Sequence, residues 1–283
     1  MALSETFALV VGPTKAGTTW VQAYLETCAQ VALPLDRKET FFFDKVFENG
    51  FDWYCSLFPA DPDGRIRVEV APSLFHKPYA CERALDLVPK ARIICIVRNP
   101  FDRAVSHYFH YRKMGVERQS LASMANEYPD VIESGLFHTN TRRWEEAFGA
   151  ENVHLLSFRQ MCDDPAGFCR ELCALLDVPY VPPDPGLRDK TVNAAKVPRN
   201  LIAARVFHAT TRTMRAVGFR RLVTMLKVVP FKKLVYSGGA DFKQERAEIR
   251  AQTGDLTDLL GPDWEAFQRR PDFPAWPPQS KVG

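Results

Sequence analysis

The chain has 283 residues, 46% hydrophobic, 25% charged and 12% aromatic, with 37 basic against 34 acidic side chains for a formal charge of +3. This composition excludes a disordered, collagen-like or disulfide-scaffold chain, and so small a charge argues against a nucleic-acid partner while leaving room for a local basic site. The seven cysteines, odd in number and without Cys-x-x-Cys spacing, give neither a disulfide framework nor a zinc cluster. They read as reduced thiols, with Cys169 and Cys173 as buried structural ones.

Residues 7–11 form a compact apolar strand with no basic leader or long apolar run before it, so the chain is expected to be cytoplasmic. A loop, Gly12-Pro13-Thr14-Lys15-Ala16-Gly17, follows, and then an apolar-periodic helix to about Cys28. Further strands are expected at 66–70, 92–97 and 153–158, and helices at 101–113, 140–147 and 165–176. The last is the best signalled: Asp164 is an N-cap, Pro165 takes the first helical position, and Phe168, Leu172, Leu175 and Leu176 recur at helical spacing. Strands alternating with helices predict an α/β fold with a parallel sheet covered on both faces.

The proline-rich run 179–185 reads as a rigid connector. Residues 196–233 are basic and interleaved with apolar side chains, which fits either a solvated helix face or a surface for a polyanion or an acidic membrane. A final helix is expected over 241–260, stopped by Gly261-Pro262, with Trp264, Phe267 and Trp276 in a packed tail. The whole reads as one domain over 1–283, with a nucleotide-binding core and acceptor segments in 1–200 and a helical basic region in 201–283.

Between a strand and a helix, the loop 12–17 followed by Thr18 and Thr19 is a phosphate cradle, where backbone N–H groups and the helix dipole face an anion. It is not a nucleoside-triphosphate loop. That motif places Lys directly after the second glycine, where this chain has Thr18, and the cation here is Lys15 inside the loop. The strand 92–97 ends in Arg98 where a kinase would keep an acidic metal ligand, so a nucleotide held by side-chain cations without a required metal is expected. Arg98-Asn99-Pro100-Phe101-Asp102-Arg103-Ala104-Val105-Ser106 adds a guanidinium fork and, eight residues on, a hydroxyl suited to a terminal phosphate.

Gly12 to Trp20 resembles the 5′-phosphosulfate loop, and Arg98 to Tyr108 the 3′-phosphate motif, of the sulfotransferase family. The segments Lys38-Glu39-Thr40-Phe41-Phe42-Phe43-Asp44 and Glu69-Val70-Ala71-Pro72-Ser73-Leu74-Phe75 are similar to those of the heparan-type glycan branch. The resemblance runs to about residue 200. It implies a three-layer P-loop-like fold, 3′-phosphoadenosine 5′-phosphosulfate (PAPS) as donor, and adenosine 3′,5′-bisphosphate (PAP) as product. The implied donor site comprises Thr14, Lys15, Ala16, Gly17, Thr18, Thr19, Trp20, Arg98, Ser106 and, more loosely, Lys196 and Arg199. It further implies Lys15 as the cation on the leaving phosphate and Glu39 as general base. The chain departs from the glycan enzymes at Phe41, where His or Gln is frequent, and at Val70, where several have Lys.

His76, His107 and His110 are rival bases, and Trp20, Trp53 and Tyr54 could stack on adenine, line an acceptor cleft or belong to the core. The expected acceptor is a hydroxyl of a carbohydrate or glycolipid. A lipid headgroup or a natural-product alcohol is the alternative within the class. A magnesium-dependent kinase and a non-catalytic binder of nucleotides or glycans are the alternatives outside it.

Overall fold

The computed structural model describes residues 7–60, 64–188 and 240–273. Lys196, Arg199, the basic run 196–233 and Trp276 lie outside them. Tertiary contacts divide the chain into two compact units, the first being Met1–Pro100, Ile132–Val192 and Leu259–Gly283 and the second Phe101–Val131 and Asn193–Asp258.

The first unit contains a five-stranded sheet of β1 (Phe7–Gly12), β2 (Val31–Ala32), β3 (Ile66–Val70), β4 (Arg92–Val97) and β5 (Val153–Ser157), ordered β2-β3-β1-β4-β5 with every pairing parallel. Because strand side chains alternate between faces, each strand feeds two cores. Phe7, Leu9 and Val11 join Ile93, Cys95 and Val97 on one face, over Phe42, Tyr54, Trp144 and Phe267. Ala8, Val10, Val68, Ile94 and Ile96 face the other way, onto Trp20, Tyr24, Phe168 and Leu172. The expected α/β fold, a parallel sheet between helical layers, is the one observed.

Helices α1 (Thr18–Leu25), α2 (Phe42–Lys45), α3 (Phe51–Ser56), α4 (Pro78–Leu87), α5 (Pro100–Lys113), α6 (Leu121–Glu127), α7 (Asp130–Glu133), α8 (Phe137–Phe148), α9 (Phe158–Asp163), α10 (Pro165–Leu176), α11 (Pro185–Arg188), α12 (Ala240–Ala251) and α13 (Thr257–Gln268) complete the described residues. In α10 the Asp164 carboxylate accepts the Gly167 N–H at 2.9 Å, the N-cap that the sequence announces. The strand expected over 153–158 stops at Ser157, whose hydroxyl accepts the Gln160 amide at 3.2 Å and opens α9. The first helix ends at Leu25 rather than Cys28.

The expected helix stop at Gly261-Pro262 is incorrect. The break falls earlier, in a 3-10 turn at Gln252–Leu256, and α13 runs through Pro262. An interior proline costs about 3 kcal/mol, but Leu260, Trp264 and Phe267 are buried by this helix, and Asp263 caps α8 by accepting the His138 and Thr139 amides at 2.8 and 2.9 Å. Burial of those three side chains, at roughly 1.5–3 kcal/mol each, outweighs the lost backbone bond.

In the second unit, α5 carries a buried polar network. Arg103 meets His107 Nδ1 at 3.1 Å, His107 Nε2 lies 3.5 Å from Asp130, and Arg112 pairs with Glu245 of α12 at 2.9 Å.

Candidate active site

The loop after β1 is built by glycines at two positions of positive φ where an added Cβ would meet close neighbours. Gly12 has φ +111, and a Cβ there would lie 2.7 Å from the Pro72 Cα. Gly17 has φ +89 and would drive a Cβ to 2.3 Å from the Met161 methyl. Between them Lys15 adopts a left-handed φ of 73, unusual for a residue with a side chain and characteristic of functional loops. The Ala16 amide bonds the Pro13 carbonyl at 3.2 Å and the Trp20 amide the Gly17 carbonyl at 2.8 Å. Thr14 is tied to the turn after β3, its hydroxyl donating to the Pro72 carbonyl at 3.3 Å. The loop therefore delivers the first-turn amides of Thr18 and Thr19 to one point, at the positive end of the α1 dipole. Thr18 is buried and Thr19 exposed.

Arg98 leaves β4 beside this loop. In an open parallel sheet, ligands bind at the carboxyl ends of the strands where successive crossovers diverge, and here that place lies between β1 and β4. One guanidinium nitrogen of Arg98 donates to the Lys15 carbonyl at 2.5 Å, and the plane stacks 4.4 Å from the Phe158 ring centroid. The Arg98 guanidinium is thus fastened to the backbone of the loop at Lys15. Ser106 is half-buried on α5, within the second unit.

The acceptor-side segment is anchored by a residue whose role the sequence reading missed. Glu69 is on β3 opposite Leu9 of β1, facing the aromatic core at 1% exposure. Its carboxylate accepts the Thr40 amide at 2.9 Å, the Thr40 hydroxyl at 2.5 Å and the Tyr54 hydroxyl at 2.9 Å. Burial pushes its pKa up, and these hydrogen bonds work in the opposite direction. In the alternation Ile66-Arg67-Val68-Glu69-Val70 the carboxylate reads as solvent-facing, and only the aromatic segment that packs over this face of the sheet buries it.

Locking Thr40 fixes its neighbours. The Lys38 ammonium donates to the Thr19 hydroxyl at 3.3 Å and lies 3.6 Å from the Glu39 carboxylate. The two side chains are 30% and 20% exposed. Burial raises the Glu39 pKa, with Lys38 opposing the rise, and burial lowers that of Lys38, with Glu39 opposing the fall. Through Lys38 the candidate base is one side chain away from the first turn of the phosphate-loop helix.

The Trp20 side chain packs into the core. Its indole is 6% exposed, donates to the Leu187 carbonyl at 2.9 Å, and packs on Tyr24 and Phe168. Its amide is bonded to the Gly17 carbonyl as well. Tyr54 is core and bonded to Glu69, and Trp53 packs against the same core under the Arg37 guanidinium. Among the rival bases, His76 lies 4.0 Å from Glu133, and His107 belongs to the Arg103 network.

Fold and site define a class: a parallel α/β protein whose first loop meets the end of its fourth strand, with a carboxylate segment held beside the loop. The chain belongs to the sulfotransferase domain family, whose model matches residues 5–196. It is 31% identical over 169 residues to the human heparan sulfate glucosamine 3-O-sulfotransferase 6, covering 56% of this chain and 48% of that protein. It is 28% identical over 195 residues to the mouse bifunctional heparan sulfate N-deacetylase/N-sulfotransferase 4, covering 60% of this chain and 22% of that protein. The chain thus spans about half or less of the length of these curated relatives. A solved sulfotransferase of Alicyclobacillus acidocaldarius superposes with a TM-score of 0.55 at 26% identity, covering 67% of this chain and 90% of that one.

Proposed function

We propose that the chain transfers a sulfuryl group from PAPS to a hydroxyl or amine of a carbohydrate acceptor, releasing PAP. Family membership supports the donor, and the heparan sulfate relatives support the acceptor class. The observation that carries the reading is the short path from the phosphate loop to Glu39, through Thr19 and Lys38 at 3.3 and 3.6 Å. Acceptor oxygen, sulfur and leaving oxygen must lie in line, so base and phosphate site have to be neighbours.

In this reading the Thr18 and Thr19 amides and hydroxyls hold the 5′-phosphate, Arg98 the 3′-phosphate, and the Lys15 ammonium opposes charge growing on the leaving phosphate oxygen. Glu39 takes the acceptor proton; a carboxylate whose pKa burial has raised is a better base than an exposed one. The donor fits the residues present, since α1 offers unspent first-turn amides and the Arg98 guanidinium borders the loop.

The test is incubation with ³⁵S-labelled PAPS and a panel of desulfated glycans, glycolipids and small alcohols, with mass spectrometry for an added SO₃. Transfer to a glycan is the expected result. Transfer only to small alcohols or lipids would overturn the acceptor assignment, and phosphate transfer from ATP would overturn the class of reaction. The assignment to the cytoplasm and a membrane or polyanion contact through 196–233 remain part of the proposal.

A further inference from the structure

The Lys38 side chain has no place in the roles assigned above, yet it touches both halves of the site. Its ammonium donates to Thr19 on the donor side and faces Glu39 on the acceptor side. Thr40, the residue after Glu39, is bonded to buried Glu69 through amide and hydroxyl, so the segment has its own anchor and does not need the ammonium for one. At 3.6 Å the contact with Glu39 is a loose ion pair, which a better-placed anion can replace as the partner of the ammonium. A sulfuryl group arriving beyond Thr19 presents such a partner, an anion with three acceptor oxygens.

We propose that Lys38 is a further catalytic residue: on donor binding its ammonium moves from the Glu39 carboxylate to the oxygens of the sulfuryl group, which stabilises the group in transfer and frees Glu39 to act as base. The inference rests on the proposed sulfuryl transfer. In the step itself the acceptor O–H (or N–H) bond breaks and its proton passes to Glu39. The acceptor atom forms a bond to sulfur as the sulfur's bond to the bridging oxygen breaks, and that electron pair leaves on the 5′-phosphate. Nothing is oxidised or reduced. The charged groups around Glu39 are Lys38, Asp44, Lys45 and Glu69; of these Lys38 is the one also bonded to the donor loop. Its departure removes the nearest cation and raises the proton affinity of Glu39, so donor binding takes up a proton.

Two measurements test this without any acceptor. Calorimetric binding of PAPS and of PAP is compared in the wild type, Lys38→Met and Lys38→Arg. Expected is a loss of tenfold or more for PAPS in Lys38→Met, a loss below threefold for PAP, and partial recovery of PAPS binding in Lys38→Arg. Equal losses for both nucleotides, or none for either, overturn the proposal; retained PAP binding shows that the variant is folded. Repeating the PAPS titration at about pH 6 in buffers of different ionisation heat reads the proton. The wild type should take one up in part, Lys38→Met less and Glu39→Gln none, whereas an uptake unchanged in Glu39→Gln overturns the release of the base. The base assignment fails separately: a Glu39→Gln enzyme that still transfers SO₃ removes Glu39 from the mechanism, yet the PAPS-to-PAP ratio in Lys38→Met still reports on Lys38.

Discussion

The Thr40 hydroxyl is 2.5 Å from the Glu69 carboxylate, and the Thr40 amide donates to the same oxygen at 2.9 Å. A residue of the acceptor segment is thereby fastened to the middle of the parallel sheet, one position from the proposed base. Removing the carboxylate leaves buried donors on Thr40 and Tyr54, each costing about 1–3 kcal/mol. Glu69→Ala should therefore lose several kcal/mol in chemical denaturation, whereas Glu69→Gln, which keeps an acceptor for Thr40, should stay close to the wild type. The pH dependence has a defined sign. Because burial raises the folded pKa of Glu69, its protonation favours the fold, and that stability is present below the unfolded carboxylate value and lost as pH rises through the folded one. Wild-type stability should fall relative to Glu69→Gln across this window. A difference independent of pH, or one of opposite slope, would contradict the buried-carboxylate account.

The two loop glycines should differ in their tolerance of a methyl group. At Gly17 the obstacle is the methyl end of Met161, at 2.3 Å, which can swing aside, leaving chiefly the left-handed penalty of about 1–2 kcal/mol. At Gly12 it is the backbone of Pro72, with Cα at 2.7 Å and O at 3.0 Å, and φ +111 lies outside the region that side chains tolerate. Gly12→Ala should destabilise by roughly 3 kcal/mol or more, clearly above Gly17→Ala. Thermal unfolding of the two variants checks the order, and equal shifts would mean that Pro72 yields.

Arg98 is held by stacking on Phe158 and by its bond to the Lys15 carbonyl. A lysine can replace neither the planar stack nor the fork. Arg98→Lys should weaken PAP binding at least tenfold with little change in thermal stability. Lys15→Ala should weaken nucleotide binding and lower turnover at least tenfold. Calorimetry with PAP and single-turnover transfer separate the two. An Arg98→Lys protein with unchanged PAP affinity would assign Arg98 to loop support alone.

Much of the fold was readable from the chain because its signals are local. The apolar strands at 66–70 and 92–97, and the helix from Pro165 with its Asp164 cap, fall where periodicity and capping put them. Pro262 misled because the local penalty of an interior proline was offset by the nonlocal burial of Leu260, Trp264 and Phe267. At the site, the glycine loop and Arg98 were legible as motifs. The Lys38 bridge and the Glu69 anchor were not, since each joins residues from separate elements, 19 with 38 and 40 with 69. Trp20 adjoins the phosphate loop in sequence, yet the helical turn carries its indole into the core.

The Glu39 carboxylate has its pKa raised above the ordinary range by burial, with Lys38 as the leading opposing influence. A general base works only when deprotonated, so activity should fall as pH drops through this raised value. The acidic limb of kcat/KM should therefore lie above the usual carboxylate range of about 4.3. Bound PAPS has by the proposal already drawn Lys38 away from Glu39, so under saturating PAPS the limb of Lys38→Met should lie close to that of the wild type. Glu39→Gln should abolish transfer with PAP affinity near normal, and Glu39→Asp should retain a small fraction of turnover because its shorter arm places the oxygen out of line. The limb is measured with whichever acceptor the panel identifies, under saturating PAPS. A limb that persists in Glu39→Gln would assign the titration to another group, and one displaced upward in Lys38→Met would mean that Lys38 stays on Glu39 in the donor complex.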